Sequence, residues 1–304
     1  MAKILVTGGA GFIGINLLEE LLPLHRLVVV DNLSTGKGAP ILQDVHFYPM
    51  NILDEEFQKI VAQEKPEFII HLAAQINVPE SFVNPIFDLE TNILGTLKVL
   101  EAAQKNGVQK IIYPSSAAVY GSPRFLPITE EHPIEPMSFY GISKHTPEHY
   151  LQTYFHSYGL DYTILRFANV YGPRQEAGGE GGVIAVFTDN LLKSKPLSVF
   201  GDGEQTRDFV FVKDVAGAIM KSLSTGSHQI LNIGSGRKVS VNQLFQQIKS
   251  LTQSSIEPQY LPTRPGDIRD SIFDITKARR VLGWEPQTTL EQGLRLTMEW
   301  FLAH

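Results

Sequence analysis

The stretch Thr7-Gly8-Gly9-Ala10-Gly11-Phe12-Ile13-Gly14 restricts the fold of this chain more than any other. It follows a β-branched run, Lys3 to Thr7, and opens a segment, Phe12 to Leu22, with helical apolar spacing. Gly8, Gly11 and Gly14 give Gly-x-x-Gly-x-x-Gly, which permits a tight turn, close backbone approach and a pyrophosphate against a helix N-terminus. A bare glycine triplet would mean only a turn. Strand, turn and helix in this order make it a dinucleotide signature, and the acid it calls for ends the next strand as Asp31. A carboxylate there accepts from the adenosine ribose hydroxyls and repels a 2′-phosphate, so the expected cofactor is NAD rather than NADP.

The alternation continues downstream. Leu27 to Asp31, Val45 to Tyr48, Phe68 to His71 and Lys110 to Tyr113 have the character of buried strands. Asp54 to Ala62 and Ile86 to Asn106 have helical periodicity, and a further helix carries Tyr140 to Tyr158 before a strand from Tyr162 to Phe167. Such alternation predicts an α/β chain with a Rossmann-type, doubly wound parallel sheet. After Gly172-Pro173 the pattern loosens: a glycine-rich loop, a helix from Val183 to Leu192, strand-like runs Leu197 to Phe200 and Asp208 to Val212, then short elements. Residues 1–168 are expected to bind the dinucleotide, with segments near 212–236 returning to that sheet. Residues 169–304 mainly form a smaller α/β substrate-binding domain.

Composition narrows the functional classes. A net charge of −6 gives no general attraction to nucleic acid or anionic membranes. The absence of cysteine excludes disulfides, thiolate chemistry and cysteine-rich zinc sites. The first apolar run is broken by Gly8-Gly9 and then Asn16, Glu19 and Glu20, so it fails as a secretory signal. No segment approaches the roughly 20 apolar residues that span a bilayer. The expected location is the cytoplasm.

Tyr140 and Lys144 stand four apart on a predicted helix and share a face. An ammonium beside a phenol favours the phenolate, and the pair can then transfer a proton near neutral pH. Chance supplies Tyr-x-x-x-Lys in many helices. Here Ser115-Ser116 precedes it after an apolar run, and with the glycine turn these features point to a nicotinamide-dependent enzyme acting on a hydroxyl group.

Read together, the motifs resemble the extended short-chain dehydrogenase/reductases, specifically the UDP-hexose 4-epimerases. They are the glycine turn, His71-Leu72-Ala73-Ala74-Gln75, Ser115-Ser116-Ala117-Ala118-Val119-Tyr120-Gly121, Tyr140 to Lys144, Leu165-Arg166-Phe167-Ala168-Asn169, Arg207-Asp208-Phe209-Val210 and Arg264-Pro265-Gly266-Asp267. The resemblance implies that Ser116 and Tyr140 contact the sugar 4-hydroxyl, while Lys144 holds the nicotinamide ribose and lowers the tyrosine pKa. Carbon 4 is oxidised to a ketone, the keto-sugar rotates, and hydride returns to its other face, so NAD stays bound. It places Gly8, Gly11, Phe12, Ile13, Gly14, Asp31, Asn32, Ser34, Asn51, Ile52, Leu72, Ala73, Ala74, Gln75, Asn92, Tyr140, Lys144 and Phe167 at the NAD. Asn169 and Arg207 would hold the UDP-sugar diphosphate, with Arg264 adding a charge-assisted contact. Asp267 would take the uridine ribose, Phe200 the uracil, and Val183 would line the same site. Counted without gaps from Asp267, Ser271 falls where a residue gates the space beside carbon 2 of the sugar. A homodimer is implied, built from the helices around Leu89 to Asn106 and Tyr140 to Tyr158.

The chain departs from the pattern at three places. Asn51-Ile52 stands where Asp is usual, Pro114 replaces a serine, and Pro147 falls inside the Tyr140 helix, where it deletes the bond to the Ser143 carbonyl and is expected to kink it. Dehydratases and uronate decarboxylases of this scaffold need an acid just after the strand serine, where this chain has Ala117 and Ala118. A UDP-glucuronate 4-epimerase would share the catalytic trio, and a non-catalytic NAD-binding regulator would commonly lack Tyr140 or Lys144. His145-Thr146-Pro147-Glu148-His149 spells H-x-x-E-H, a metal-ligating spacing. Without a third ligand it reads as helix histidines, and no metal is expected.

Overall fold

Val, Ile and Leu occupy both faces of the first strands, as a parallel sheet covered by helices on both sides requires. The computed structural model describes residues 1–35, 44–178, 182–263 and 268–304. Its first elements are β1 (Lys3–Thr7), α1 (Phe12–Leu21), β2 (Arg26–Asp31), β3 (His46–Pro49), α2 (Glu56–Glu64) and β4 (Phe68–His71). Then come α3 (Val78–Val83), α4 (Pro85–Leu89), a π-helical turn (Glu90–Leu94), α5 (Gly95–Lys105), β5 (Lys110–Ser116), a 3-10 turn (Ala117–Val119), α6 (Phe139–Tyr158) and β6 (Asp161–Phe167). The remainder comprises β7 (Asn169–Tyr171), α7 (Val183–Leu192), β8 (Ser198–Phe200), β9 (Thr206–Phe211), α8 (Val212–Ser222), β10 (Gln229–Ile233), β11 (Lys238–Ser240), α9 (Val241–Thr252), β12 (Gln259–Leu261), α10 (Thr276–Leu282) and α11 (Leu290–Ala303).

Seven strands form one sheet in the order β10-β6-β5-β4-β1-β2-β3. β1 pairs in parallel with both β2 and β4, so the chain winds outward on either side of β1 in the doubly wound sense. The expected Rossmann-type α/β architecture is the one observed. The chain divides into a unit of Met1–Val119, Pro136–Arg166 and Ala216–Leu231 and a unit of Tyr120–Glu135, Phe167–Val215 and Asn232–His304. In the first, Leu5, Val28, Val30, Ile69 and Ile111 of the sheet meet Phe57, Val61, Val99, Leu100 and Leu151 of the helices. The second has its own core of Tyr171, Ile184, Phe187, Phe209, Leu244, Phe245 and Leu294, around the sheet β11-β9-β7.

Local chemistry moved some boundaries. Ile86 to Asn106, read as one helix, is α4, the π-helical turn and α5 in succession. The unforeseen α3 and the start of α4 are each set by an asparagine cap and an early proline: Asn77 accepts from the Glu80 amide, Asn84 from that of Phe87. Val212 begins α8 rather than ending a strand. Helix α6 continues through Pro147 from its cap at Ser138, whose hydroxyl accepts from the Gly141 amide at 3.0 Å.

Candidate active site

Ser116 is the last residue of β5, and the 3-10 turn after it lies against the first turn of α6. A side chain at 141 would meet the Ala118 carbonyl oxygen at 2.6 Å, so only glycine lets α6 come this close. That approach sets the Ser116 hydroxyl beside the phenol of Tyr140, near enough to favour its ionised form. One turn on, Lys144 is buried with its ammonium 4.6 Å from the centre of the Tyr113 ring. The structure therefore brings the three expected catalytic side chains together at one end of β5 and α6.

The electrostatics differ from the expectation of a lowered phenol pKa. Burial pushes Tyr140 above its ordinary value, the Ser116 hydrogen bond pulls it back, and the Asp88 carboxylate pushes it up again. Burial lowers Lys144 to about 8, against the raising influence of Glu148 and Asp88. It is the lysine, rather than the tyrosine, whose pKa is drawn toward neutrality.

Beneath these groups lie polar networks that the motifs did not disclose. Asn92, in the π-helical turn, donates to Ser143 Oγ at 2.9 Å, and its side chain exchanges hydrogen bonds with the Gln75 backbone; the Gln75 side-chain amide donates to Asp88 at 2.9 Å. A π-helical turn of this kind is frequent at functional sites. His71 is clamped between Thr7 Oγ1 at 2.7 Å and Thr96 Oγ1 at 3.0 Å. Burial first, and the Lys144 charge second, lower its pKa to about 3. Glu148 accepts from Ser115 Oγ at 2.6 Å and from the Arg166 guanidinium at 3.0 and 2.5 Å. Its Oε2 is 3.2 Å from His145 Nδ1, and the His145 and His149 Nε2 atoms are 3.0 Å apart. The H-x-x-E-H side chains thus bond one another and Arg166. Among the described residues no group of three or more His, Asp or Glu is disposed to hold a metal.

The glycine turn fits a dinucleotide. Gly8 has φ +70°, and a Cβ there would lie 2.5 Å from the Ala73 amide nitrogen; a Cβ on Gly14 would lie 2.5 Å from the Gly9 carbonyl oxygen. The turn is therefore packed onto Leu72 and Ala73 with space for backbone alone. Gly11 caps α1 without a side-chain bond and no acid occupies the first turn, which leaves the N-terminal amides of Phe12, Ile13 and Gly14 to an anion. Asp31 is buried, and its carboxylate accepts from the Ala10 amide at 2.9 Å and the Leu33 amide at 2.8 Å. It ties the turn to the end of β2 while each oxygen keeps acceptor capacity. Asn32 Oδ1 accepts from the Ser34 amide at 3.1 Å, and Asn51 Oδ1 from the Leu53 amide at 3.0 Å beside buried Ile52. Ala74 follows the Leu72–Ala73 contact, and Phe167 ends β6.

Of the described residues expected at the substrate, five lie within the second unit. Arg207 is on β9 and donates to the Thr206 carbonyl at 2.9 Å; the Ser271 amide donates to that same carbonyl at 3.1 Å. The start of β9 thus brings Arg207 and Ser271 to one strand end. Asn169 opens β7, in register with Phe209 of β9. Val183 opens α7, and Phe200 ends β8, its carbonyl accepting from the Gln205 amide group at 2.7 Å. Arg264 and Asp267 lie outside the described residues. Among the described residues no helix is long and apolar enough to cross a membrane.

Residues 4–234 match the NAD dependent epimerase/dehydratase family. A UDP-glucose 4-epimerase of Mycolicibacterium smegmatis is 41% identical over 307 residues, covering 98% of each chain. The crystal structure of a UDP-glucose 4-epimerase from Thermotoga maritima with UDP-glucose superposes with a TM-score of 0.97 at 46% identity, covering 99% of both chains. A UDP-N-acetylglucosamine 4-epimerase from Methanobrevibacter ruminantium, in complex with UDP-N-acetylmuramic acid, gives 0.95 at 34% identity, covering 99% of this chain and 98% of that one.

Proposed function

Because the chain belongs to the NAD dependent epimerase/dehydratase family, we propose that its reaction is the 4-epimerisation of UDP-hexoses through a transient 4-keto sugar. The observation that carries this reading is the joining of Ser116, Tyr140 and Lys144 on one scaffold, beside a turn shaped for a dinucleotide. Near full-length similarity to two UDP-glucose 4-epimerases and a UDP-N-acetylglucosamine 4-epimerase supports the substrates, UDP-glucose and UDP-galactose with their N-acetylated counterparts.

When bound, NAD+ supplies the hydride acceptor and a positively charged nicotinamide. The amides of Phe12, Ile13 and Gly14 would hold its pyrophosphate, and Asp31 the adenosine ribose. Tyr140 takes the proton of the 4-hydroxyl and later returns it, while Ser116 hydrogen-bonds the same oxygen and stabilises the phenolate. Lys144 holds the nicotinamide ribose and keeps a positive charge close to the reacting phenol. Arg207 and Asn169, with Arg264, pair with the diphosphate; Phe200, Val183 and Asp267 receive the uridine, and Ser271 flanks the sugar.

A cytoplasmic homodimer belongs to this reading. A cysteine-free chain suits a reducing compartment. Leu89 and Leu94, with Ile142 and Tyr150 of α6, leave apolar surface exposed for a second copy. The deciding experiment incubates the purified protein with each UDP-sugar and follows products by NMR, then denatures it to assay released NAD. Epimer formed without added cofactor supports the reading. Stoichiometric NADH release would make the protein a net dehydrogenase, and light scattering at the monomer mass would remove the dimer.

A further inference from the structure

We propose that Glu148 is a positioning residue for this reaction: its carboxylate, one helical turn beyond Lys144 and clamped by Arg166 and Ser115, holds the Lys144 ammonium in its charged form. The inference rests on the role just given to Lys144.

Lys144 and Glu148 are four apart on α6, so their side chains share a face. Lys144 is 5% exposed and Glu148 1%, so little solvent screens one from the other. Desolvation disfavours the charged form of the lysine, and an ammonium in this setting is favoured by a fixed anion nearby. The groups that face Lys144 come from four elements: Tyr113 of β5, His71 of β4, Asp88 of α4, and Tyr140 and Glu148 of α6 itself. His71 is held neutral and so offers no anion. Asp88 acts on Lys144, yet burial raises its own pKa and weakens its hold on the negative charge. Glu148 is the opposite case. Burial pushes it up, but hydrogen bonds from His145 and Arg166, the Arg166 charge and the Ser115 hydroxyl together hold it at about 2. The Arg166 charge and these hydrogen bonds keep the Glu148 carboxylate ionised at working pH.

The clamp also couples the site along the chain. Ser115, which donates to Glu148, immediately precedes Ser116, and Arg166 closes the carboxylate from β6. One side chain therefore ties the strand end carrying the catalytic serine to the helix carrying the catalytic lysine. A merely structural ion pair would account for the burial and the hydrogen bonds. It would not require the charge of residue 148 to be read at Lys144.

That charge can be measured. The NAD-bound protein is labelled with [ζ-15N]lysine, and the Nζ signal of Lys144, assigned by its loss in Lys144→Arg, is titrated by NMR. In Glu148→Gln the midpoint is expected to fall from about 8 by about one pH unit, and the alkaline limb of kcat to move down with it. Glu148→Asp, which keeps the charge, is expected to stay near wild type. Glu148→Gln removes one partner of the Arg166 guanidinium, so a second neutral variant, Glu148→Met, and the far-UV dichroism of each holoprotein keep the titration tied to a folded protein. A wild-type midpoint in both neutral variants, or a Glu148→Asp shift as large as that of Glu148→Gln, overturns the proposal. If wild type epimerises no UDP-sugar, the functional reading fails while the NMR midpoint still reports on Glu148.

Discussion

The ammonium of Lys144 stands 4.6 Å from the centre of the Tyr113 ring, and Tyr113 also donates its hydroxyl to the Lys144 carbonyl at 3.3 Å. Tyr113 is fully buried, so the ring face is a desolvated partner for the charge. A cation–π contact in such a setting is worth about 2 kcal/mol. Tyr113→Leu removes the ring, and the alkaline limb of the rate profile is expected to move to lower pH by about one unit. Tyr113→Phe keeps the ring and loses only the hydroxyl, and its limb is expected to stay in place. A pH series of kcat on both variants checks this, and equal shifts would place the effect in the hydroxyl.

Tyr140→Phe leaves the glycine turn, Asp31 and the Lys144 surroundings intact, because the phenol's contact within the first unit is with Ser116. NAD content and UDP-sugar affinity are expected to remain near wild type while turnover falls about 10² to 10⁴-fold, the usual contribution of a general acid–base group. Activity within a few-fold of wild type would remove Tyr140 from proton transfer.

Acid stability follows from His71. Its folded pKa is about 3 against an ordinary 6.5, so between those values the unfolded chain binds more protons than the folded one. The contribution is fully present above pH 6.5 and is lost as pH falls toward 3, at about 1.4 kcal/mol per pH unit where steepest. Glu148 adds a second loss lower down, between 4.5 and about 2. Urea midpoints from pH 7.5 to 4.5 are expected to decline in wild type and to decline less steeply in His71→Asn. Parallel slopes would exclude His71 as the source.

The glycine turn, Asp31 and the Tyr140–Lys144 spacing were legible because each depends on a few neighbouring residues; that Ser116 joins the pair came from the family resemblance. The doubly wound sheet was legible for the same reason: strand and helix periods alternate without interruption. The polar supports were not. Asp88, Tyr113 and Ser143 meet the site from three elements, and no local pattern connects them. Glu148 stands one turn after Lys144, but the H-x-x-E-H spelling names none of its partners, because Ser115 and Arg166 reach it from two strands. The raised phenol of Tyr140 could not be read from spacing, because burial outweighs the charge pattern there. The π-helical turn at Asn92 likewise carries no sequence period of its own.

Substrate breadth is expected to turn on Ser271. Its amide donates to the Thr206 carbonyl at 3.1 Å, and its neighbour Asp270 accepts from the Thr206 hydroxyl at 2.5 Å. Two bonds to one residue fix the register of this segment against the strand that carries Arg207. Ser271 is buried, so a larger side chain there must take volume from whatever lies beside it. By the family resemblance, that volume is the space next to carbon 2 of the sugar, where a bulky tyrosine restricts the site and a small residue admits an N-acetyl group. Wild type is therefore expected to epimerise UDP-N-acetylglucosamine and UDP-N-acetylgalactosamine as well as UDP-glucose and UDP-galactose. Ser271→Tyr is expected to lower kcat/KM on the N-acetylated pair at least about 100-fold, as overpacking a pocket does, with a change of only a few-fold on the plain pair. Competing the two pairs in one NMR assay measures the ratio directly. Equal losses on both pairs, or wild-type inactivity on the N-acetylated pair, would show that the space beside carbon 2 is set by another residue.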